Sequence, residues 1–496
     1  MNQHQSQTES PKTYEPASII TKAPPLLWEY GSGPTATHVP VAESLDWSVI
    51  PAKLRRKNAL RLPELTELQV VRHFKGLSQA NFSIDRNMYP LGSCTMKYNP
   101  KPAEEVAAKP EFSLTHPYAP LAPGLRVLGE LQDYLGELTG LPGVSLQPAA
   151  GAQGELAGVL IIRKAIELAG LEKVKTEIII PDSAHGTNPA TTAMAGFTPV
   201  TVKTSPQGTI SLESIQQVVS EKTAGIMITN PNTLGLFEKD IRAIAKVIHD
   251  VGGYVYGDGA NFNALAGVIK PGDYGIDIMH INVHKTFGTP HGGGGPGAGP
   301  VCVNQALADY LPGPIVKKDN NGRWVSFMPN HSIGRLRGAW GNFGILLRAY
   351  SYLIAHGPEG VRTNSIHAVL SANYLMNQLK DVFPAAYAGV CMHEYVAGNP
   401  YTSVGVHTQD IAKRLLDFGI HAPTVYFPLI VKEALMMEPT ESESSEDLDR
   451  FIGIMKQIAR EANETPDLLK QAPLGLPLKR VDEVLANRTL ILKHTF

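Results

Sequence analysis

Between residues 144 and 282 short apolar runs alternate with helical or turn-like segments, and this alternation limits the chain to few architectures. The runs lie at 144–146, 177–181, 199–202, 225–229, 253–256 and 277–282. Apolar runs of this length separated by crossover segments predict an open, largely parallel sheet covered by helices on both faces. Ligands of such sheets gather at the loops leaving the carboxyl ends of the strands, so the residues following each run are the ones to read for chemistry.

The flanking regions differ in character. Residues 1–65 are rich in Pro, Gly, Ser and Thr with little periodicity, which predicts a mobile tail followed by an extended arm lying on something else. Leu125, Leu128, Leu131, Leu135 and Leu138 recur at helical spacing and stop at Gly140-Leu141-Pro142, one amphipathic helix. Beyond about residue 345 a helical stretch at 344–354 leads into a smaller mixed region. There 404–407 and 424–427 read as strands and 410–418 as a helix. The segment Thr440-Glu441-Ser442-Glu443 has capping-box form before Phe451, Ile454, Met455 and Ile458, so its acidic run reads as a solvated first helical turn. The expected organisation is a tail and arm at 1–65, a large domain at 66–344 and a small C-terminal α/β domain at 345–496.

Charge and cysteine content remove several function classes. Forty-four Lys and Arg nearly cancel 46 Asp and Glu, which leaves no electrostatic basis for a nucleic-acid or anionic-membrane partner. Charged residues make up only 18% of the chain, below the roughly 25% of an average soluble domain, which points to extensive burial in cores or interfaces. No run approaches the roughly 18 apolar residues of a membrane span. The polar first thirty residues match neither a secretory signal nor an Arg-rich transit peptide, so a cytoplasmic location is expected. Cys94, Cys302 and Cys391 have no metal-type or redox spacing, which argues for reduced thiols; no metal site is expected.

Four strand-end segments carry candidate chemistry. Ala149-Ala150-Gly151-Ala152-Gln153-Gly154-Glu155 opens a helix, and its backbone N–H groups can hold a phosphate, although an ordinary tight turn has the same composition. It matches neither GxGxxG nor a P-loop. His185 follows the Ile run of 178–180; a lone histidine is more often structural than catalytic. Asp258 ends the run at 254–257 and suits a metal ligand, a cofactor's ring nitrogen or, most simply, a helix cap. Lys285 stands between an apolar run and the glycine-rich 290–297; a single lysine is usually a surface charge, but a partly buried amine can form a Schiff base. Together a phosphate cradle, an imidazole face, a strand-end carboxylate and a later lysine are the parts a pyridoxal phosphate site requires.

Longer blocks extend the pattern. Tyr89-Pro90-Leu91-Gly92-Ser93-Cys94-Thr95-Met96-Lys97, residues 147–155, His185-Gly186-Thr187-Asn188-Pro189-Ala190, Thr229-Asn230-Pro231-Asn232-Thr233-Leu234-Gly235, Asp258-Gly259-Ala260-Asn261, His284-Lys285-Thr286-Phe287 through Gly297, Ser332-Ile333-Gly334-Arg335, residues 421–426 and Glu438-Pro439-Thr440-Glu441 run in order along the chain. In these blocks the chain resembles the pyridoxal-phosphate glycine dehydrogenase (decarboxylating), the P-protein of the glycine cleavage system, in particular the second subunit of its two-chain form. The resemblance implies an α/β, fold-type-I (aspartate-aminotransferase-like) transferase architecture with pyridoxal 5'-phosphate on Lys285. By the same analogy Asp258 pairs with the pyridine nitrogen, and His185 and Ala260 lie against the two ring faces. Gly151, Ala152 and Gln153 hold the phosphate, Asn282 and His284 assist, and Thr229 contacts the ring hydroxyl. The implied activity is decarboxylation of glycine with transfer of the aminomethyl group to the lipoyl arm of H-protein. The implied assembly is a two-plus-two heterotetramer with a homologous subunit 1 that lacks the lysine. Two other readings compete: another fold-type-I enzyme such as an amino-acid decarboxylase or desulfurase, and a non-catalytic structural subunit. A desulfurase needs a mobile catalytic cysteine, and none of the three cysteines sits in an obvious flexible loop; Asp258 with Lys285 argues against the scaffold.

Overall fold

The computed structural model describes residues 13–16, 25–30, 46–58, 63, 65–119, 122–293 and 297–492. Most of the expected tail and arm therefore lies outside the described residues, as do Gly294, Gly295 and Pro296 of the glycine-rich loop.

The central sheet has seven strands: β1 (Gly143–Ser145), β2 (Glu177–Pro181), β3 (Thr198–Val202), β4 (Thr223–Thr229), β5 (Tyr254–Asp258), β6 (Ile278–His280) and β7 (Val301–Val303). Their order is β1-β7-β6-β5-β4-β2-β3. The pairs β2·β3, β2·β4, β4·β5 and β5·β6 are parallel. The strand β7 runs antiparallel to both β6 and β1, a reversal that the apolar runs do not encode.

Strand alternation builds a core on each face. Ile179, Ile226, Ile228, Val255, Met279 and Cys302 pack on one side with Leu131 and Leu135 of the helix Ala122–Thr139. Ile178, Ile180, Met227, Tyr256, Ile278, Val301 and Val303 pack on the other with Ile161 and Ile162 of the helix Gly151–Leu168. Residues buried on both faces produce the continuous apolar runs of the sequence, as in covered parallel sheets. Helix and sheet approach closely because Gly158 lacks a Cβ, which would lie 2.4 Å from the Tyr256 ring.

Two further sheets follow: a hairpin of β8 (Ile315–Lys318) and β9 (Trp324–Phe327), and a three-stranded sheet of β10 (Tyr395–Gly398), β11 (Thr424–Val425) and β12 (Ala434–Met437). The helix Phe343–Leu379 reaches from the first core to a third one, breaking at Gly357, where φ is 62°, and Pro358. That third core joins Leu375, Leu379, Tyr395, Leu435 and Met437 to Phe451, Ile454, Met455 and Ile458 of the helix Ser445–Glu464. The backbone N–H of Tyr14 reaches this helix, donating to Gln457 Oε1 at 2.8 Å.

The structure corrects two local expectations. Residues 404–407 form no strand: Thr402–Val404 is a 3-10 turn, Gly405 is left-handed, and His407 caps the helix Thr408–Asp417, its N–H donating to Asp410. The helix after the acidic run is capped by Ser444, not Thr440, and the run is not simply solvated. Glu441 forms a buried ion pair with Lys97 at 2.6 Å. A tertiary cation, invisible to local pattern, overrides the solvated reading. Among the described residues no helix is long and apolar enough to cross a membrane.

Candidate active site

At the carboxyl edge of the central sheet the chemistry-bearing side chains converge on one cavity. Gly151, Ala152, His185, Thr229, Asp258, Ala260, Asn282 and Lys285, eight of the ten sequence-derived site residues, line it. Gln153 and His284 are not among the lining residues. Gln153 Oε1 accepts the Ala149 N–H at 2.6 Å, and His284 packs edge-on against His291. Burial and the neighbouring His291 and Lys285 push the His284 imidazole down to about 3, so it is neutral. A larger groove between residues 107–128 and 337–347 is mainly apolar and holds none of these groups.

Topology explains the convergence. β4 ends at Thr229, its neighbour β5 at Asp258, and β6 leads into the turn carrying Asn282 and Lys285. β2 delivers His185 just before the helix Thr187–Met194.

Asp258 is only 6% exposed. Its Oδ1 accepts the Ala260 N–H at 2.9 Å, its Oδ2 accepts Asn188 Nδ2 at 3.1 Å, and His280 Nε2 stands 3.6 Å from Oδ1. Burial alone opposes its charge, but His280, these two donors and Lys285 together hold the carboxyl below its ordinary range. Its side chain does cap the following 3-10 turn, so the simple reading and the chemical one coexist. Behind it the network continues. Asn188 also donates to Glu155 Oε1 at 3.0 Å, Thr187 Oγ1 donates to Glu155 Oε2 at 2.9 Å, and Tyr256 OH meets His280 Nδ1 at 2.5 Å. Ser93, Glu155, Thr187, Thr233, Asn261 and His280 line the cavity although sequence reasoning did not single them out for the site. Glu155 was detectable as the helix position one turn after Gly151, and His280 as an imidazole inside an apolar strand.

Lys285, 8% exposed, donates from Nζ to the Ser93 carbonyl at 2.7 Å. The 18-residue helix starting at Gly151 has no side-chain cap, which leaves its first N–H groups free for an anion. A Cβ on Gly151 would lie 2.2 Å from Asn282 Oδ1, so only glycine lets the backbone come this near. Thr229 Oγ1 and Asn282 Oδ1 are buried without hydrogen-bond partners. An anion cradle, two orphaned polar atoms, an ionised carboxylate and an amine fit a phosphate-bearing pyridine aldehyde.

Fold and site together define a fold-type-I pyridoxal-phosphate-dependent architecture. Solved structures share it: a glycine decarboxylase (P-protein) of the glycine cleavage system in inhibitor-bound form has a TM-score of 0.69 at 23% identity, covering 82% of this chain and 93% of that one. A cysteine desulfurase from Thermococcus onnurineus has a TM-score of 0.60 at 14% identity, covering 75% and 95%. The family model for the glycine cleavage system P-protein matches residues 40–328, and that for the glycine dehydrogenase C-terminal domain matches 364–473. A probable glycine dehydrogenase (decarboxylating) subunit 2 of Halalkalibacterium halodurans is 51% identical over 484 residues, 96% of this chain and 99% of the relative. Its namesake in Thermotoga petrophila is 49% identical over 461 residues, 92% and 96%. The chain belongs to the glycine cleavage system P-protein family.

Proposed function

We propose that this chain is the lysine-bearing subunit of a glycine dehydrogenase (decarboxylating), an oxidoreductase that binds pyridoxal 5'-phosphate. In the reaction glycine loses its carboxylate as carbon dioxide. The aminomethyl carbon then bonds to one sulfur of the lipoyl disulfide of H-protein, and the other sulfur is left as a thiol. The observation that carries the reading is the convergence of Lys285, ionised Asp258 and the uncapped helix start at Gly151 in a chain about half identical to the glycine dehydrogenase subunits over nearly its whole length.

When bound, the cofactor supplies an electrophilic carbon and an electron sink for the pair left by departing carbon dioxide. The chain supplies the rest. The N–H groups at Gly151 and Ala152 would hold the phosphate. Asp258, kept charged by its donors, would hold a proton on the ring nitrogen. His185 and Ala260 would bound the ring, Thr229 would bind its hydroxyl, and Lys285 Nζ would be the anchoring amine. Asn282 and, more remotely, Gln153 and His284 support the cradle. Glu155 and Asp258 face one another across Asn188, whose amide nitrogen donates to both.

We further assign the division into a large domain at 66–344 and a small one at 345–496, a two-plus-two assembly with a homologous subunit 1, and a cytoplasmic location. The test has two arms. Lys285→Ala should abolish the visible absorption band and the borohydride-trapped label at position 285. Labelled carbon dioxide should leave glycine only when lipoylated H-protein and the companion subunit are both present. A band that survives Lys285→Ala, or release without H-protein, would overturn the reading.

A further inference from the structure

Two blocks of the sequence, Tyr89–Lys97 and Glu438–Glu441, contribute only Ser93 to the lining of the cavity, yet the fold brings them together beside Lys285. Residues 88–95 run along the edge of the small sheet: Leu91 bridges Met437, and the Gly92 carbonyl accepts Thr424 Oγ1 at 2.6 Å. Ser93 then adopts φ of 64°, a conformation that costs a non-glycine residue energy unless the surroundings hold it. Two buried glutamates do the holding. The Ser93 N–H donates to Glu394 Oε2 at 2.7 Å. Thr95 donates twice to Glu438, from N at 3.1 Å and from Oγ1 at 2.5 Å. The carbonyl of the same Ser93 is the acceptor for Lys285 Nζ.

Both glutamates are wholly buried, and an oxygen of each lies within 4.8 Å of the other. Their charged surroundings are few. Lys97 is committed to Glu441, Asn263 and Tyr352. His393, against Glu438 at 3.8 Å, has both ring nitrogens without hydrogen-bond partners, and burial keeps it neutral, down to about 3. The Cys94 thiol is raised by burial. Among the described residues, Lys285 is the remaining cation whose charge reaches both carboxyl groups. Two carboxylates this close in a dry site cannot both ionise unless a cation stands by. Burial and, at Glu438, the neighbouring Glu394 raise both groups accordingly.

We propose that the Ser93 carbonyl, held by Glu394 and Glu438, is the berth of the Lys285 amine once an incoming amine displaces it, and that the two carboxyl groups share one proton until it arrives. As the bond between Nζ and the cofactor's aldehyde carbon breaks, the incoming amine takes that place on the carbon and passes one proton to Nζ, whose freed electron pair then takes the shared proton. The berth then holds an ammonium beside two carboxylates. Re-formation of the bond returns the proton to the pair. Glu394 and Glu438 are thus positioning residues acting through Ser93, Thr95 and Lys285. The proposal rests on the cofactor being bound through Lys285.

The test is infrared difference spectroscopy of the cofactor-loaded enzyme with its companion subunit, before and after hydroxylamine, which captures the cofactor's aldehyde carbon and frees the lysine. Visible absorption reports separately that cofactor was bound and that the lysine was released. The expected result is loss of the carbonyl stretch of one protonated carboxyl per site, absent from both Glu394→Gln and Glu438→Gln. In Thr95→Val, which keeps both carboxyls, the band should persist at a shifted frequency. A full visible change with no carboxyl band lost from the unaltered enzyme would overturn the proposal, as would an unchanged band in both Gln variants. If the Gln variants do not fold, the unaltered enzyme and Thr95→Val still decide. Absence of the visible band at the outset would instead refute cofactor binding.

Discussion

Asn188→Asp isolates the electrostatics of the site because the two side chains are nearly isosteric and no cavity is opened. The wild-type amide donates to Glu155 Oε1 at 3.0 Å and Asp258 Oδ2 at 3.1 Å, in a side chain with no exposure. Hydrogen bonds to charged groups contribute about 1.5–3 kcal/mol each, so losing both costs roughly 3–6 kcal/mol. An unfolding entropy of about 2.1 cal/mol/K per residue amounts over this chain to about 1 kcal/mol/K, which converts the loss to a midpoint lowered by about 3–6 °C. The penalty depends on pH with a definite sign. The new carboxyl, buried between two others, binds its proton more tightly folded than unfolded, so its folded pKa lies above the ordinary value near 3.9. Protonated, it still donates one hydrogen bond. The deficit is therefore smallest in acid, about half the full value, and deepens as pH rises through the raised pKa. Thermal unfolding at pH 5 and pH 8 measures both effects. A variant within 1 °C of wild type at pH 8, or one less destabilised at pH 8 than at pH 5, would refute the reasoning.

Three further outcomes are expected. Gly151→Ala should weaken cofactor binding about tenfold or more, equivalent to about 1.4 kcal/mol, because its Cβ displaces Asn282 from the cradle; titration of the visible band measures it. Tyr256→Phe leaves His280 Nδ1 buried without its partner and should cost about 1–3 kcal/mol in thermal unfolding, with the midpoint unchanged if the 2.5 Å contact contributes nothing. Arg414→Ala strands Asp417 and Glu461, which it now holds at 3.1 and 2.8 Å, and should destabilise the C-terminal region by about 3–5 kcal/mol; chemical denaturation followed by hydrogen exchange in Ser445–Glu464 tests this.

The strand-and-helix skeleton was readable because burial on both faces forces unbroken apolar runs. Ile178, Ile179 and Ile180 feed two opposite cores, and the run at 177–181 coincides with β2. Leu131 and Leu135 likewise mark the helix Ala122–Thr139. The reversed β7 was not readable, since Val301-Cys302-Val303 looks the same in either direction. At the site, side chains following parallel strand ends were visible because topology alone gathers them. The network behind them was not. Asn188 links Asp258 to Glu155 by tertiary hydrogen bonds, His280 stands 3.6 Å from Asp258, and Lys97 finds Glu441 across 344 residues of chain, pairings no local periodicity contains.

The stretch from Met88 to Lys97 acts as a seam. Its Met88 carbonyl accepts the His421 N–H, its Leu91 pairs with Met437, and its Ser93 carries the contact to Lys285. Excising everything after residue 344 would accordingly leave the anchoring amine intact but strip away the pair of glutamates opposite it, together with the support that bends Ser93. A shortened protein of that kind would keep its amine but lose the carboxyl pair proposed to exchange a proton with it, and any minimal catalyst carved from this scaffold must carry both ends of the seam.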